Sequence, residues 1–296
     1  MDKYIKDFLE YLRYQKNYSD NTIKNYKDDL IIFTKFLNSK NINNINDVNY
    51  DLIREYLKYL HNLKYTSKSV VRIISSIRGL FKYLISNKVI KDNPMTLVSN
   101  PKVERKLPKY LEYNELEKLI NTPDIKTDIG IRDSLVLEML YSTGIRVSEL
   151  VNIKINDIDK SNKEIRILGK GSKERIVLFG KVLLDKLNLY LNTVYEKYNV
   201  NNSPYLFLNQ HGNKLNDRIV RMIVDDNMIK AGINKKISPD TLRHTYATHM
   251  LHSGADIKTV GDLLGHESIS TTTIYTHLSN EQLKRVYLNA HPRAKK

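Results

Sequence analysis

Apolar residues recur at three- and four-residue intervals through most of the first ninety positions, and that spacing restricts the region to helices. Ile5, Phe8, Leu9 and Leu12 form one stripe, and Ile23, Tyr26, Leu30, Phe33 and Leu37 form a second. Leu52, Tyr56, Leu57 and Leu60 mark a third helix, and Ile73, Ile74, Ile77, Leu80, Phe81 and Leu84 a fourth. Ser19 to Thr22 offers capping chemistry ahead of the second helix, and the Asn-rich run from Asn41 to Asn49 reads as a loop. Four short helices that each hide one stripe make a compact all-α domain. Asn93-Pro94 ends this region, and the stretch from Asn100 to Pro108 reads as an extended polar linker. The predicted organisation is a helical domain over 1–98, a linker over 99–109 and a second domain over 110–296.

The second domain is mixed. Helical spacing runs from Tyr113 to Ile120 and from Ile131 to Tyr141, and resumes from Asp217 onward. Between them, Glu164 to Leu168 and Arg175 to Phe179 flank Gly169-Lys170-Gly171, which reads as a hairpin with lysines at its tip. The predicted fold class is mainly α: a helical amino-terminal domain plus a mostly α second domain that holds a small antiparallel sheet.

Lys and Arg total 48 against 33 Asp and Glu, a net charge of +15 in a chain that is 41% hydrophobic. The hydrophobic share is enough for real cores, and a basic excess spread along a folded chain fits a polyanionic partner. Simple solubility explains the same charge, so the excess alone does not decide. Lys24, Lys27, Lys68 and Arg72 lie away from the apolar stripes of the second and fourth helices, where they would either follow a DNA backbone or face solvent. The chain has no cysteine, which removes disulfides, thiolate metal sites and a Cys nucleophile. No apolar run reaches the length of a signal peptide or a membrane span, so the expected location is the cytoplasm, away from membranes.

Attack on a phosphodiester needs a nucleophile, a proton acceptor, a donor for the leaving oxygen and cations around the non-bridging oxygens. Thr143-Gly144-Ile145-Arg146 puts an arginine just past a turn that glycine permits, at the start of a new helix. Lys170 sits at the hairpin tip, with Lys173 close behind. Leu242-Arg243-His244 carries an arginine in the first turns of a helix, Leu263-Leu264-Gly265-His266 ends another with a histidine, and Thr273-Ile274-Tyr275 follows a Ser/Thr-rich turn. Each piece alone is ordinary surface, turn or core. His249 and His252 share a helical face, but no carboxylate is evidently placed to complete a zinc site, so no metal is expected.

Together these boxes resemble the tyrosine recombinases, and most closely the Xer group that resolves chromosome dimers. The resemblance runs from Tyr141 to the end, through Leu242-Arg243-His244, Ala247-Thr248-His249, Gly254-Ala255-Asp256, Leu263 to His266 and Ile274 to His277. Intervals agree too: Lys170 lies 24 residues past Arg146, His266 lies 23 past Arg243, and Tyr275 lies nine past His266. The amino-terminal helices look like the core-binding domain of the same family, less specifically. The resemblance implies that Tyr275 attacks the scissile phosphate, leaving a 3′-phosphotyrosyl bond and a 5′-hydroxyl. Arg146 and Arg243 would hold the non-bridging oxygens, His266 would add a hydrogen bond, and Lys170 would protonate the leaving oxygen. The covalent bond conserves the phosphodiester energy, so no cofactor or metal is implied. The partner would be double-stranded DNA carrying a roughly palindromic site. Lys24, Lys27, Lys68, Arg72 and Lys173 are the candidate DNA contacts among the basic residues, with solvated surface as the alternative for each.

One position departs from the pattern. The family reads His-x-x-Arg where this chain has Asp240-Thr241-Leu242-Arg243. A carboxylate can accept the tyrosine proton, but its charge opposes an anionic phosphate. Asp240 is therefore either a base or a residue turned away from the phosphate, and a relative that binds DNA without cleaving it is one alternative. The segment Glu281 to Lys296 places Leu283, Val286, Tyr287 and Ala290 on one side. In the family such a tail docks on a neighbouring protomer in a homo- or hetero-tetramer, and the alternative is packing on its own domain. A mobile-element integrase would share the active site. Many of those carry an arm-binding domain ahead of the core-binding helices, and the first helix here begins close to Met1. A type IB topoisomerase shares the chemistry, but the boxes around Arg146 and Arg243 look recombinase-like.

Overall fold

The computed structural model describes residues 1–103, 109–169, 174–265 and 280–294, of which 280–283 are described by backbone alone. The chain divides into two units, Met1–Lys106 and Leu107–Lys296.

Among its described residues the first unit has four α-helices: α1 (Asp2–Tyr14), α2 (Asp20–Ser39), α3 (Tyr50–Asn62) and α4 (Ser67–Ser86). Ser19, Asn49 and Thr66 cap α2, α3 and α4 by accepting hydrogen bonds from the amides of Thr22, Leu52 and Ser69. The whole predicted stripe of α4 is buried, and Phe33 meets Tyr56 edge-on at 5.0 Å. Two details differ from expectation. Ile53 is a core residue of α3 that the stripe omitted, and the Asn-rich connection is tied down because Ile45 and Val48 are buried in the same core. Asp29 is fully buried between α2 and α4, where it accepts hydrogen bonds from Arg72 at 2.5 Å and from Ser76 at 2.6 Å.

The second unit is built around α6 (Asp128–Thr143), preceded by α5 (Tyr113–Asn121). Leu135, Val136, Leu137, Met139, Leu140 and Tyr141 are all fully buried, the pattern of a helix enclosed on every side. A four-residue helix, α7 (Val147–Leu150), leads to β1 (Ile158–Asp159), β2 (Glu164–Leu168) and β3 (Glu174–Leu178), an antiparallel sheet in the order β1-β2-β3. Ile165 pairs with Val177 and Ile167 with Arg175, so the inward face of β3 carries an arginine. Next come α8 (Lys181–Tyr190) and, past a π turn, α9 (Glu196–Tyr198). Leu183, Leu187, Tyr190 and Val194 keep helical spacing along this segment and are buried. α10 (Asp217–Lys230), α11 (Pro239–His252), α12 (Ile257–Leu264) and α13 (Asn280–Ala290) follow. Among the described residues no helix is long and apolar enough to cross a membrane.

In the single chain, Val286, Tyr287 and Ala290 close on their own unit. The Tyr287 hydroxyl donates to the Ser142 carbonyl at 3.2 Å, and the His291 ring stacks on Tyr287. Arg293, 5% exposed, reaches the fully buried Glu138 at 3.1 Å and Glu117 at 3.0 Å. Buried opposite charges brought this close hold the tail in place, because separating them would leave Glu138 short of a partner away from water.

Candidate active site

The site begins where α6 stops. Gly144 takes the left-handed conformation (φ +60°), and a Cβ there would stand 2.7 Å from Leu264 Cδ2 and 2.8 Å from Tyr246 Cδ1. Only glycine meets both demands. The turn delivers Arg146 to the cap of α7, and Glu149 closes back on it. Its Oε2 accepts the Arg146 amide at 2.8 Å and its Oε1 accepts Arg146 Nη1 at 3.0 Å.

Arg243 approaches from α11, whose start is fixed by the Ser238–Thr241 capping box and by Pro239 in its first turn. Its Nη1 donates to the Gly144 carbonyl at 2.5 Å and its Nη2 to the Leu264 carbonyl at 2.7 Å. Both acceptors lie at helix carboxyl ends, where carbonyls lack intrahelical partners and the helix dipole is negative. Burial, and after it the nearby Arg146 charge, lower the Arg243 pKa to about 10, with Glu149 opposing. The guanidinium therefore stays charged at neutral pH, and part of its N–H fork remains for another anion.

Glu149 and Arg175 belong to the same cluster, and the sequence reading missed both. Arg175 Nη1 and Nη2 donate to the two Glu149 oxygens at 2.9 and 2.8 Å. Burial alone would raise the Glu149 pKa; the hydrogen bonds from Arg175 and the Arg146 amide, with the Arg175 charge, hold it below the usual carboxylate range. Two signals were available: a glutamate three residues past Arg146, and an arginine on the core-facing side of a strand. On its other side Arg175 lies under Gly265 (φ +65°), where a Cβ would stand 2.9 Å from Arg175 Cδ.

The structure thus brings Arg146 and Arg243 together and places Asp240, exposed, in the first turn of α11 one turn before Arg243. Lys170, Lys173, His266 and Tyr275 lie outside the described residues. In the first unit Lys24, Lys27 and Lys68 are exposed. Arg72 is exposed as well, and its Nη1 is engaged by Asp29 at 2.5 Å. His249 is engaged at both ring nitrogens, by the Tyr141 hydroxyl and the Leu111 carbonyl, each at 3.0 Å. Those contacts account for it as a structural residue tying the segment before α5 to α6 and α11.

Residues 109–282 match the phage integrase family, and residues 5–88 match the phage integrase N-terminal SAM-like domain. The chain is 42% identical to the tyrosine recombinase XerC of Anoxybacillus flavithermus, over 97% of each chain. It is 40% identical to the tyrosine recombinase XerD of Staphylococcus saprophyticus, over 99% of this chain and 100% of that one. Among solved structures, the XerH site-specific recombinase bound to its difH substrate before cleavage is similar with a TM-score of 0.70 at 25% identity, covering 95% of this chain and 83% of that one. A lambda integrase (75–356) dimer on a core site is similar in fold, with a TM-score of 0.71 at 16% identity, covering 94% of this chain and 99% of that one.

Proposed function

This chain belongs to the phage integrase family and is a site-specific tyrosine recombinase, and we propose that it acts as an Xer-type enzyme that resolves chromosome dimers at a roughly palindromic DNA site. Whole-length similarity near 40% to proteins named XerC and XerD supports that reading over a mobile-element integrase. We assign DNA core binding to 1–98 and catalysis to 110–296, joined by 99–109. The observation that carries the chemistry is the convergence of Arg146 and Arg243 at the ends of α6 and α12.

On this reading the Tyr275 oxygen attacks the scissile phosphate, its proton passing to a base, and the 3′-phosphotyrosyl bond forms as the bond to the 5′-oxygen breaks. Lys170 gives that oxygen its proton. The forks of Arg146 and Arg243, with His266, take up the charge that builds on the non-bridging oxygens. The 5′-hydroxyl of the partner duplex then attacks the phosphotyrosine, which restores the tyrosine and completes the exchange. Capture of the covalent complex on a nicked substrate tests this: wild type gives a protein–DNA adduct and Tyr275→Phe gives none. No adduct from wild type would leave a DNA-binding relative without cleavage.

Four protomers would assemble on paired sites through their tails. Because the tail sits in its own unit here, docking on a neighbour exchanges identical contacts between protomers, a low-cost route to assembly. Truncation after Leu278 is expected to abolish cooperative synapsis while half-site binding survives. Synapsis that persists without the tail overturns this role.

A further inference from the structure

The Glu149 carboxylate is fully subscribed. It accepts two bonds from Arg175 and two from Arg146, one from its amide and one from Nη1. A carboxylate offers about four lone-pair sites, and at 5% side-chain exposure Glu149 has little room for water. The two arginines share it unequally. Arg175, 16% exposed, engages it with both terminal nitrogens; Arg146, 40% exposed, spends only Nη1. Arg175 is itself fixed from behind by the turn at Gly265, which only a residue without a Cβ lets approach so closely.

We propose that Arg175 is a positioning residue for cleavage: by occupying Glu149 with its whole fork, it keeps that carboxylate from taking Arg146 in the same way and leaves the rest of the Arg146 fork open to the scissile phosphate. The proposal rests on the reading of Arg146 as a phosphate ligand. Without Arg175, two buried acceptor sites fall vacant beside Arg146. The paired fork-to-carboxylate arrangement, stronger than a single bond, then becomes available to Arg146 itself. One positive charge is lost from the pocket at the same time, which weakens it for an anion.

The test is the rate of covalent capture on a nicked substrate, with melting temperatures measured alongside. Arg175→Gln is expected to slow capture about 100-fold, the scale of one lost transition-state donor. Adding Glu149→Gln removes the carboxylate that sequesters Arg146, and the double variant should recover about 10-fold or more. A double variant no faster than R175Q, at a matching melting temperature, overturns the proposal. A second readout uses a scissile phosphate with a methyl group in place of one non-bridging oxygen. That centre carries no charge for Arg146 to neutralise, so the ratio of wild type to R175Q should shrink about 10-fold, and an unchanged ratio overturns the proposal. Should R175Q melt below the assay temperature, Arg175→Lys, which keeps the charge and loses the fork, takes its place in both comparisons. Arg146→Ala separates the two levels. If it captures DNA at the wild-type rate, the phosphate role of Arg146 fails and the proposal with it; if it is slow and the double variant is not rescued, only the role of Arg175 fails.

Discussion

Arg243 Nη2 donates to the carbonyl of Leu264 at 2.7 Å, tying the second turn of α11 to the last turn of α12, two residues before His266. The same guanidinium reaches Gly144 at the end of α6, two residues before Arg146. One side chain therefore joins the two turns that introduce the other candidate phosphate ligands. Its structural contacts and its proposed phosphate contact cannot be separated by deletion, and the informative changes are those that alter geometry and keep charge.

Arg243→Lys is such a change. A lysine is a point donor that cannot span both carbonyls and face a phosphate. Capture of the covalent complex should fall by about 10²–10³-fold, on the scale of a lost transition-state donor. One buried carbonyl loses its partner as well, which costs about 1–3 kcal/mol in denaturant unfolding. A variant that keeps wild-type capture would show that Arg243 has only a structural duty.

Gly144→Ala tests the turn itself. A side chain there meets both the left-handed backbone (φ +60°) and a contact of 2.7 Å with Leu264 Cδ2. Strain of about 1–3 kcal/mol is expected, read as a lower melting temperature, with capture reduced because Arg146 and the Leu264 carbonyl shift together. Unchanged stability would mean that the turn relaxes without cost.

The helical unit was legible because its stripes are local: every stripe residue of α4 is buried, and its caps are read from single residues ahead of each helix. The boxes holding Arg146 and Arg243 were legible for the same reason. What escaped were pairings made across the fold. The tail stripe of Val286, Tyr287 and Ala290 looks the same whether it packs at home or on a neighbour. Nor does anything local tell that Arg293 meets two glutamates, Glu117 and Glu138, more than 150 positions away. Glu149 and Arg175 were likewise hidden, since neither spacing nor composition says that a strand arginine will close on a helix-start glutamate.

His291 gives the tail a pH signature. Burial lowers its pKa from 6.5 to about 3, with the neighbouring His249 and Arg293 charges next. The unfolded chain then binds more protons than the folded one between those values, so stability rises with pH across that window. His249, also lowered chiefly by burial, adds to the same slope. Each contributes up to about 1.4 kcal/mol per pH unit. Between pH 6.5 and about 5, above the main carboxylate range, His291→Gln should flatten the dependence of unfolding free energy on pH. A slope as steep as wild type would mean that His291 is protonated in the folded chain.

For the first unit, Lys24→Ala and Lys68→Ala should each weaken DNA binding about equally for specific and unrelated duplexes. Each should also lower the slope of log affinity against log salt by about one, the mark of a lost phosphate contact. An unchanged slope would leave that lysine as solvated surface. Arg72→Ala should differ, because it also removes a partner from the buried Asp29, and a loss of unit stability should accompany any loss of binding.

Asp240 is the sharpest test of the catalytic reading. It stands exposed in the first turn of α11, one turn before Arg243, where the family carries a histidine. A carboxylate there can take the tyrosine proton, but it also brings negative charge toward the phosphate that Arg146 and Arg243 are proposed to bind. If Asp240 is a handicap, Asp240→His should raise the capture rate by about 10-fold or more, on the low side of what a positioned base contributes. If Asp240 is the working base, Asp240→Asn should slow capture about 100-fold and Asp240→His should gain little. Equal rates for all three would place Asp240 outside the reaction and leave the proton of Tyr275 to another acceptor.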